Sequence, residues 1–354
     1  MTRSGRATER VGLKEVAAEA DVSVSVASRV LTRDPTLRLR EEKRDRVILA
    51  ARRLGYRPNA AGRSLRTSSA GAIGVMLPNL TNPFFADLIQ GVEDECDAVN
   101  LTPILGRSER LIQGSSILAR MVGEGRVDGF IIQLTDEVNE EAINEILDPS
   151  VPRVLLQSHT TDHPGSLVLD VESGIQLATQ HLLSIGHRDI ALATGRVDFD
   201  TARIRESAFR DAMRHAGQGV DDEWISHTGF HFENGQDAFR QLHSGARAPS
   251  AILAANVNLG LGILQAARWS GVAVPQELSV IALHDSELAA VSVPALTTVR
   301  LPLYTLGAQA VRELRAVLAG SAPRAITITD PPPDLIVRES TRAVPSSRRA
   351  RTQP

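Results

Sequence analysis

The chain has 354 residues, of which 42% are apolar, and a formal net charge of −3. That is enough apolar side chain to bury the cores of two or three domains, and it excludes a disordered chain. A single cysteine, Cys96, excludes an internal disulfide framework, and no run approaches the roughly 18 apolar residues that a membrane helix needs. Residues 1–68 hold sixteen Lys and Arg against eight Asp and Glu, a net of +8, so the remainder carries −11. A basic head on an acidic body fits a polyanion-binding module joined to a different kind of domain.

Met1 to Arg10 is polar and charged, unlike a signal peptide, so a cytoplasmic protein is expected. From Val11 to Leu31 the spacing predicts two short helices. Leu13, Val16, Ala17 and Ala20 fall at i, i+3, i+4 and i+7, one apolar face. Asp21 breaks that helix, since Asp tolerates the left-handed conformation of a helix end, and Ser23 can cap the next through its hydroxyl. In the second helix Ala27, Val30 and Leu31 join Val22 on the inner side, while Val24, Ser25, Ser28 and Arg29 share the outer side. That outer face suits a DNA major groove: Arg forks onto guanine, Ser reaches base or phosphate, and Val meets a thymine methyl. A helical hairpin inside a protein core is the alternative for this stretch taken alone.

A third amphipathic helix is predicted from about Glu41 to Leu54. From Gly71 the texture changes to strands and helices in alternation. Strands are predicted at Ile73–Leu77, Gly129–Leu134, Val151–Gln157, Asp189–Gly195, Ala251–Asn256 and Ser279–His284, with a helix from about Pro83 to Val99. Such alternation implies α/β architecture with parallel sheets covered on both faces. At about 270 residues the body exceeds one comfortable sheet, so two lobes are expected. The segment from Pro294 to Pro302 should cross between them and Leu335 to Arg338 should cross back. Ligands in such folds bind at the carboxyl ends of strands, here between lobes.

No catalytic constellation is present: there is no nucleophile elbow, no metal-ligand spacing, no P-loop, and Gly260-Leu261-Gly262 lacks the remaining glycine of a dinucleotide fingerprint. No enzyme, cofactor or metal is expected, which leaves a regulator or a solute-binding sensor without a gene-regulatory role.

The segments KEVAAEADVSVSVASRVL, LGYRPNAAGRSLRT, LPNLTNPFF, VDGFII, HLLSIGHRDIALATG, VPALTTVR and LIVREST occur in the order seen in the lac repressor (LacI/GalR) family of bacterial transcription regulators, which the chain resembles from about Val11 to Arg342. The resemblance implies a helix-turn-helix DNA-binding head over 1–58, a hinge helix and linker over 59–69, a two-lobed periplasmic-binding-protein-like body for effector binding and dimerisation over 70–342, and a disordered tail over 343–354. The implied partners are double-stranded operator DNA, a small-molecule effector and a second copy of the chain, with no membrane. The tail has no leucine heptad, on which the family's tetramers depend, so a homodimer is expected.

On the family pattern the recognition residues are Ser23, Val24, Ser25, Ser28 and Arg29. Arg40 stands where the family often has a Ser opening the third helix. A cation there opposes the helix dipole, so with Lys43 it either meets a phosphate or forms a solvated basic face. Asn59 to Leu65 matches the hinge, in which Leu65 wedges into the minor groove; Gly62 replaces the usual Ala and weakens this helix by roughly 0.5–1 kcal/mol per chain. In the cleft, Phe84 and Phe85 match the aromatic wall, Arg205 the ligand-clamping Arg, Phe230 an aromatic of the loop before a helix, and Asn256 the Asn of the family's Ala-Asn-Asp motif. Val257 replaces the Asp of that motif, and His284 replaces the first Asp of a strand-end Asp pair, leaving Asp285. Losing carboxylates while keeping Arg205 points to an anionic effector such as a sugar acid or a phosphorylated sugar. The alternative is that Val257 only packs, Asp285 supplies the lost carboxylate, and the ligand is an ordinary sugar.

Overall fold

The computed structural model of the chain describes residues 11–32, 34, 36–56, 69–78, 80, 82–108, 110, 116–134, 140–156, 165–197, 200–245 and 247–344. The expected hinge residues Asn59, Gly62 and Leu65, and the tail from 345 onward, lie outside them. The chain divides into two compact units, Met1–Ala70 and Gly71–Pro354.

Among the described residues of the first unit three helices form, α1 (Leu13–Glu19), α2 (Val24–Leu31) and α3 (Glu41–Arg53). At the end of α1, Asp21 takes φ +52°. Its N–H and that of Val22 then reach the carbonyls of Ala18 and Ala17, at 3.2 and 3.0 Å, the paired closure that a left-handed residue permits. Gly55 repeats the device at the end of α3 with φ +64°, where Tyr56 N–H donates to Ala51 at 2.9 Å. Ser23 Oγ accepts the Val26 N–H at 3.3 Å and caps α2. Val16, Ala17, Ala20, Ala27, Val30, Val47, Ala50 and Ala51 make the core, closed by Leu13, Val22, Leu31 and Tyr56 at its margin. Side chains this small bring the helices close, which fixes the angle at which α2 is displayed.

In the second unit the strands are β1 (Ala72–Leu77), β2 (Thr102–Arg107), β3 (Phe130–Gln133), β4 (Arg153–Leu156), β5 (Ser166–Leu169), β6 (Ile190–Thr194), β7 (Ile225–His227), β8 (Ala251–Ala254), β9 (Ser279–Leu283), β10 (Thr297–Arg300), β11 (Ile326–Ile328) and β12 (Asp334–Ile336). The helices are α4 (Ala86–Ala98), α5 (Ser116–Gly123), α6 (Glu140–Ile146), α7 (Val171–Ser184), α8 (Asp200–His215), α9 (Phe232–His243), α10 (Val257–Trp269), α11 (Glu287–Val291) and α12 (Leu303–Leu318). They build two six-stranded sheets, in the orders β11-β5-β4-β3-β1-β2 and β12-β10-β9-β8-β6-β7. Every pair is parallel except β10 with β12. Helices cover both faces, so β1, β3, β6, β8 and β9 are buried throughout, and their sequences are continuous apolar runs rather than alternations.

Three connections join the lobes. The first passes at Asp170, between β5 and α7, which packs on β9 and β10 of the second sheet. The second lies at 301–302, where β10 gives way to α12, and α12 packs on α4 of the first lobe. The third is 329–333, between β11 and β12. The expected crossings are therefore corrected: most of 294–302 belongs to the second lobe because Thr297–Val299 pair with β9, and Leu335–Ile336 pair with β10 instead of crossing. The Gly260-Leu261-Gly262 run is explained by packing. A Cβ on Gly262 would lie 2.0 Å from the Phe232 carbonyl, and one on Gly235 2.3 Å from the Leu259 carbonyl, so these two glycines let the backbones of α9 and α10 touch.

Candidate functional site

Among the described residues, the side chains singled out by the sequence fall in two places, one in each unit. On α2, Val24 is 43% exposed, Ser23 and Ser25 are exposed, and Ser28 and Arg29 are half-buried. An apolar residue left in water at the first position of a capped helix has no packing reason to be there. Arg40 opens α3 with no side-chain cap, and Arg40 and Lys43 are both exposed. Arg29 does more than point outward: its Nε donates to Asp34 Oδ2 at 2.8 Å and its Nη2 to Thr36 Oγ1 at 2.9 Å.

The second place is formed by the carboxyl ends of the strands in both sheets. Asn82, after β1, accepts the Phe84 N–H at 3.0 Å and the Asn258 amide of the other lobe at 3.0 Å, both on its Oδ1. The turn thus holds Phe84 edge-on against His284, with ring centroids 4.4 Å apart. Phe85 is 4% exposed and belongs to the core, against which the partly buried Phe84 also packs.

His284 follows β9 with φ +64° and is 1% exposed. Its Nδ1 has no hydrogen-bond partner among the described residues. Burial and then the neighbouring charge of Arg205 hold its protonated form far below the usual histidine range, so the ring is neutral at physiological pH. Arg205, 8% exposed on α8, donates from Nη1 to the Thr201 carbonyl at 2.9 Å, and its guanidinium carbon lies 5.4 Å from the Phe230 ring centroid. Asn256 caps α10 by accepting the Leu259 N–H at 2.8 Å and donates to the Phe230 carbonyl at 3.0 Å. Its amide thereby positions Phe230. Val257 is 1% exposed and packs in the core of the second lobe.

Asp285 is fully engaged. Its Oδ1 accepts from Thr298 Oγ1 at 2.7 Å and Arg338 Nη2 at 2.7 Å, and its Oδ2 accepts from Arg300 Nη2 at 2.9 Å. Burial alone would raise its pKa, but these three bonds outweigh it and keep the carboxyl below its ordinary range. Further polar atoms stand buried without partners among the described residues at the same strand ends: Ser108 Oγ after β2, Gln133 Oε1 at the end of β3, Thr194 Oγ1 at the end of β6, and Ser286 Oγ beyond β9. Burying a polar group unpaired costs about 1–3 kcal/mol. Like His284 Nδ1, each of these atoms lies at or just beyond a strand end and is open to a polar partner.

Residues 12–59 match the model of the bacterial regulatory proteins of the lacI family, and residues 179–341 match that of the periplasmic binding protein-like domain. The ribose operon repressor of Escherichia coli K12 is 34% identical over 302 residues, 84% of this chain and 90% of that protein. The chain belongs to the lacI family of bacterial regulatory proteins. Catabolite control protein A of Priestia megaterium is 31% identical over 86% of this chain and 91% of its own. A LacI family transcriptional regulator from Mycobacterium smegmatis superimposes with a TM-score of 0.70 at 32% identity, over 77% of this chain and 99% of that one. The lac repressor dimer bound to operator and the anti-inducer ONPF gives a TM-score of 0.76 at 23% identity, over 95% and 100%, and so shares the fold.

In this lacI-family member the DNA-binding head and the two-lobed body are those expected from sequence. Among the expected cleft residues, the structure pairs Phe84 with His284 and gathers Arg205, Phe230 and Asn256. It leaves Phe85 in the core and gives Asn256 a positioning task. Sequence reading missed Asn82, Asn258, Ser108, Gln133, Thr194 and Ser286. The available signal was slight: Ser108, Gln133 and Thr194 are polar residues at or just beyond the end of a strand. No helix among the described residues is long and apolar enough to cross a membrane, and no group of three or more His, Cys, Asp or Glu there could hold a metal.

Proposed function

We propose that this regulator represses transcription as a homodimer on a near-palindromic operator. The outer face of α2, with Ser23, Val24, Ser25, Ser28 and Arg29, reads each half-site, Arg40 and Lys43 meet phosphates, and the hinge with Asn59 and Leu65 engages the operator centre. The effector is a small anion of the sugar-acid or sugar-phosphate class, bound at the strand ends against Phe84, Arg205, Phe230 and His284, with Asn256 supporting Phe230.

One observation carries the charge assignment. Arg205 is the cation of the cleft, and neither of the two positions where a carboxylate was expected supplies one. Val257 packs in the core, and Asp285, which could have compensated, spends both oxygens on Thr298, Arg300 and Arg338. Among the described residues neither position offers a neutral sugar a carboxylate acceptor, whereas an anion finds a guanidinium and a neutral imidazole whose Nδ1 is unsatisfied.

The test is thermal-shift titration of the full chain against matched sets: neutral sugars including ribose, their sugar acids, and their phosphates. The reading predicts that one anion stabilises the protein most, with the shift lost in Arg205→Gln. Greatest stabilisation by a neutral sugar, undiminished in His284→Gln, would refute it.

A further inference from the structure

We infer that Asp34 and Thr36 are specificity-determining positioning residues, which hold the Arg29 side chain so that its terminal edge faces a guanine. The inference rests on the reading of α2 as the recognition helix and adds to it residues from the following loop.

The network is closed on itself. Asp34 N–H donates to the Arg29 carbonyl at 3.0 Å, so the loop turns back over the end of α2. Asp34 Oδ1 accepts both the Thr36 N–H at 2.8 Å and the Thr36 hydroxyl at 2.7 Å, an Asx-turn that fixes the carboxylate. Its other oxygen, Oδ2, accepts from Arg29 Nε. Thr36 Oγ1, having given its hydrogen to Asp34, accepts from Arg29 Nη2. Every atom in this ring has its partner within eight residues of chain, so the arrangement forms before any DNA arrives.

The consequence lies in which edge of the guanidinium is used. Nε and one Nη2 hydrogen form the lateral edge, and Asp34 and Thr36 occupy it. One hydrogen of Nη1 and the second of Nη2 form the terminal edge, and no bond to these is made among the described residues. That edge is a planar donor pair of the spacing guanine O6 and N7 accept. A free Arg side chain loses rotamer freedom on docking, and one already ordered loses less. The ion pair is half-exposed, at 40% and 27%, so its contribution to folding is small, and a purely stabilising role does not account for it.

A carboxylate this near the DNA also repels phosphates. That effect is sequence-independent, which separates it from positioning. The experiment measures binding of the full chain to an operator selected from random duplexes, to its single-base variants in each half-site, and to unrelated duplex, for the parent, Asp34→Ala, Thr36→Val, Arg29→Ala and the Asp34→Ala/Arg29→Ala pair. Arg29→Ala should reduce discrimination at one guanine by roughly 5- to 150-fold. Asp34→Ala should flatten the same position and no other, while binding to unrelated duplex is unchanged or tighter. Thr36→Val should do so more weakly, and the double variant should match Arg29→Ala alone. Overturning results are a flattened guanine in Arg29→Ala with full discrimination retained in Asp34→Ala and Thr36→Val, or equal tightening of operator and unrelated DNA by Asp34→Ala. If Arg29→Ala flattened no position, the recognition-helix reading itself would fail, a result distinct from either.

Discussion

Replacing Asp285 with Ala separates a structural carboxylate from a ligand-binding one. The carboxyl joins β9 to β10 and to the segment after β12 through Thr298, Arg300 and Arg338. Arg300 is half-exposed and its pairing adds little. Arg338 is different, with a side chain only 16% exposed against an Asp285 that is 10% exposed, so removing the carboxylate strands a mostly buried cation. Breaking such a pair costs about 3 kcal/mol, the low end of the range for buried pairs, because some water reaches this one. A unit of this size unfolds with an entropy of about 0.6 kcal/mol/K, at roughly 2.1 cal/mol/K per residue, so the melting temperature should fall by about 5 °C. Differential scanning calorimetry gives that number, and isothermal titration of the best-binding anion well below both transitions gives the affinity, which should change less than threefold, about 0.6 kcal/mol. An unchanged melting temperature with effector binding abolished would show that Asp285 faces the ligand, and the argument for an anionic effector would fall with it.

Three further outcomes follow from individual residues. Gly262→Ala forces a Cβ against the Phe232 carbonyl and should destabilise the second unit by about 1–3 kcal/mol, measured by urea unfolding; a neutral result would mean that α9 and α10 are not in backbone contact. An anion beside Arg205 offsets part of what depresses His284, so the pKa in the complex exceeds that in the free protein, and the extra affinity appears as pH falls towards the bound-state value and vanishes above it. A sugar acid should therefore bind more tightly as pH falls below the usual histidine range than it does at pH 8, with the difference abolished in His284→Gln, and calorimetric affinities in the parent that do not rise at acid pH would contradict this. Leu65→Ala should weaken operator binding far more than non-specific binding and reduce DNA bending in circular-permutation gel shifts; unchanged bending would remove the wedge.

The head was legible because its signals are local. Asp21 and Ser23 act within a few residues, and the core positions follow helical spacing. The buried parallel strands were legible as apolar runs. β2 was not, since TPILGR is a half-exposed edge carrying Pro103 and Gly106, and β11 and β12 are three-residue strands whose existence depends on partners far along the chain. The crossings were displaced because pairing with β9, which the sequence does not reveal, decides the sheet of most of 294–302. In the cleft, resemblance supplied Arg205, Phe230 and His284, whereas the engagement of Asp285 depends on Arg338, 53 residues away, and could be seen only in three dimensions. Phe85 and Phe84 are indistinguishable in sequence because adjacent residues differ only in which way the turn points them. Arg29 was legible as an outward-facing residue but its tether was not, since the Asx-turn at Asp34 closes over it from the loop.

The central claim, that the head reads a symmetric operator under the control of an anion bound between the lobes, is tested most directly by fluorescence anisotropy. The full chain is titrated into an operator selected from random duplexes, with and without the sugar acid or sugar phosphate that most stabilises it. The account predicts an enriched near-palindrome bound by two chains and an affinity that changes by at least about fivefold with the anion, the lower range of allosteric coupling. Enrichment of no symmetric site, or an operator affinity indifferent to every stabilising anion and shifted instead by a neutral sugar, would contradict it.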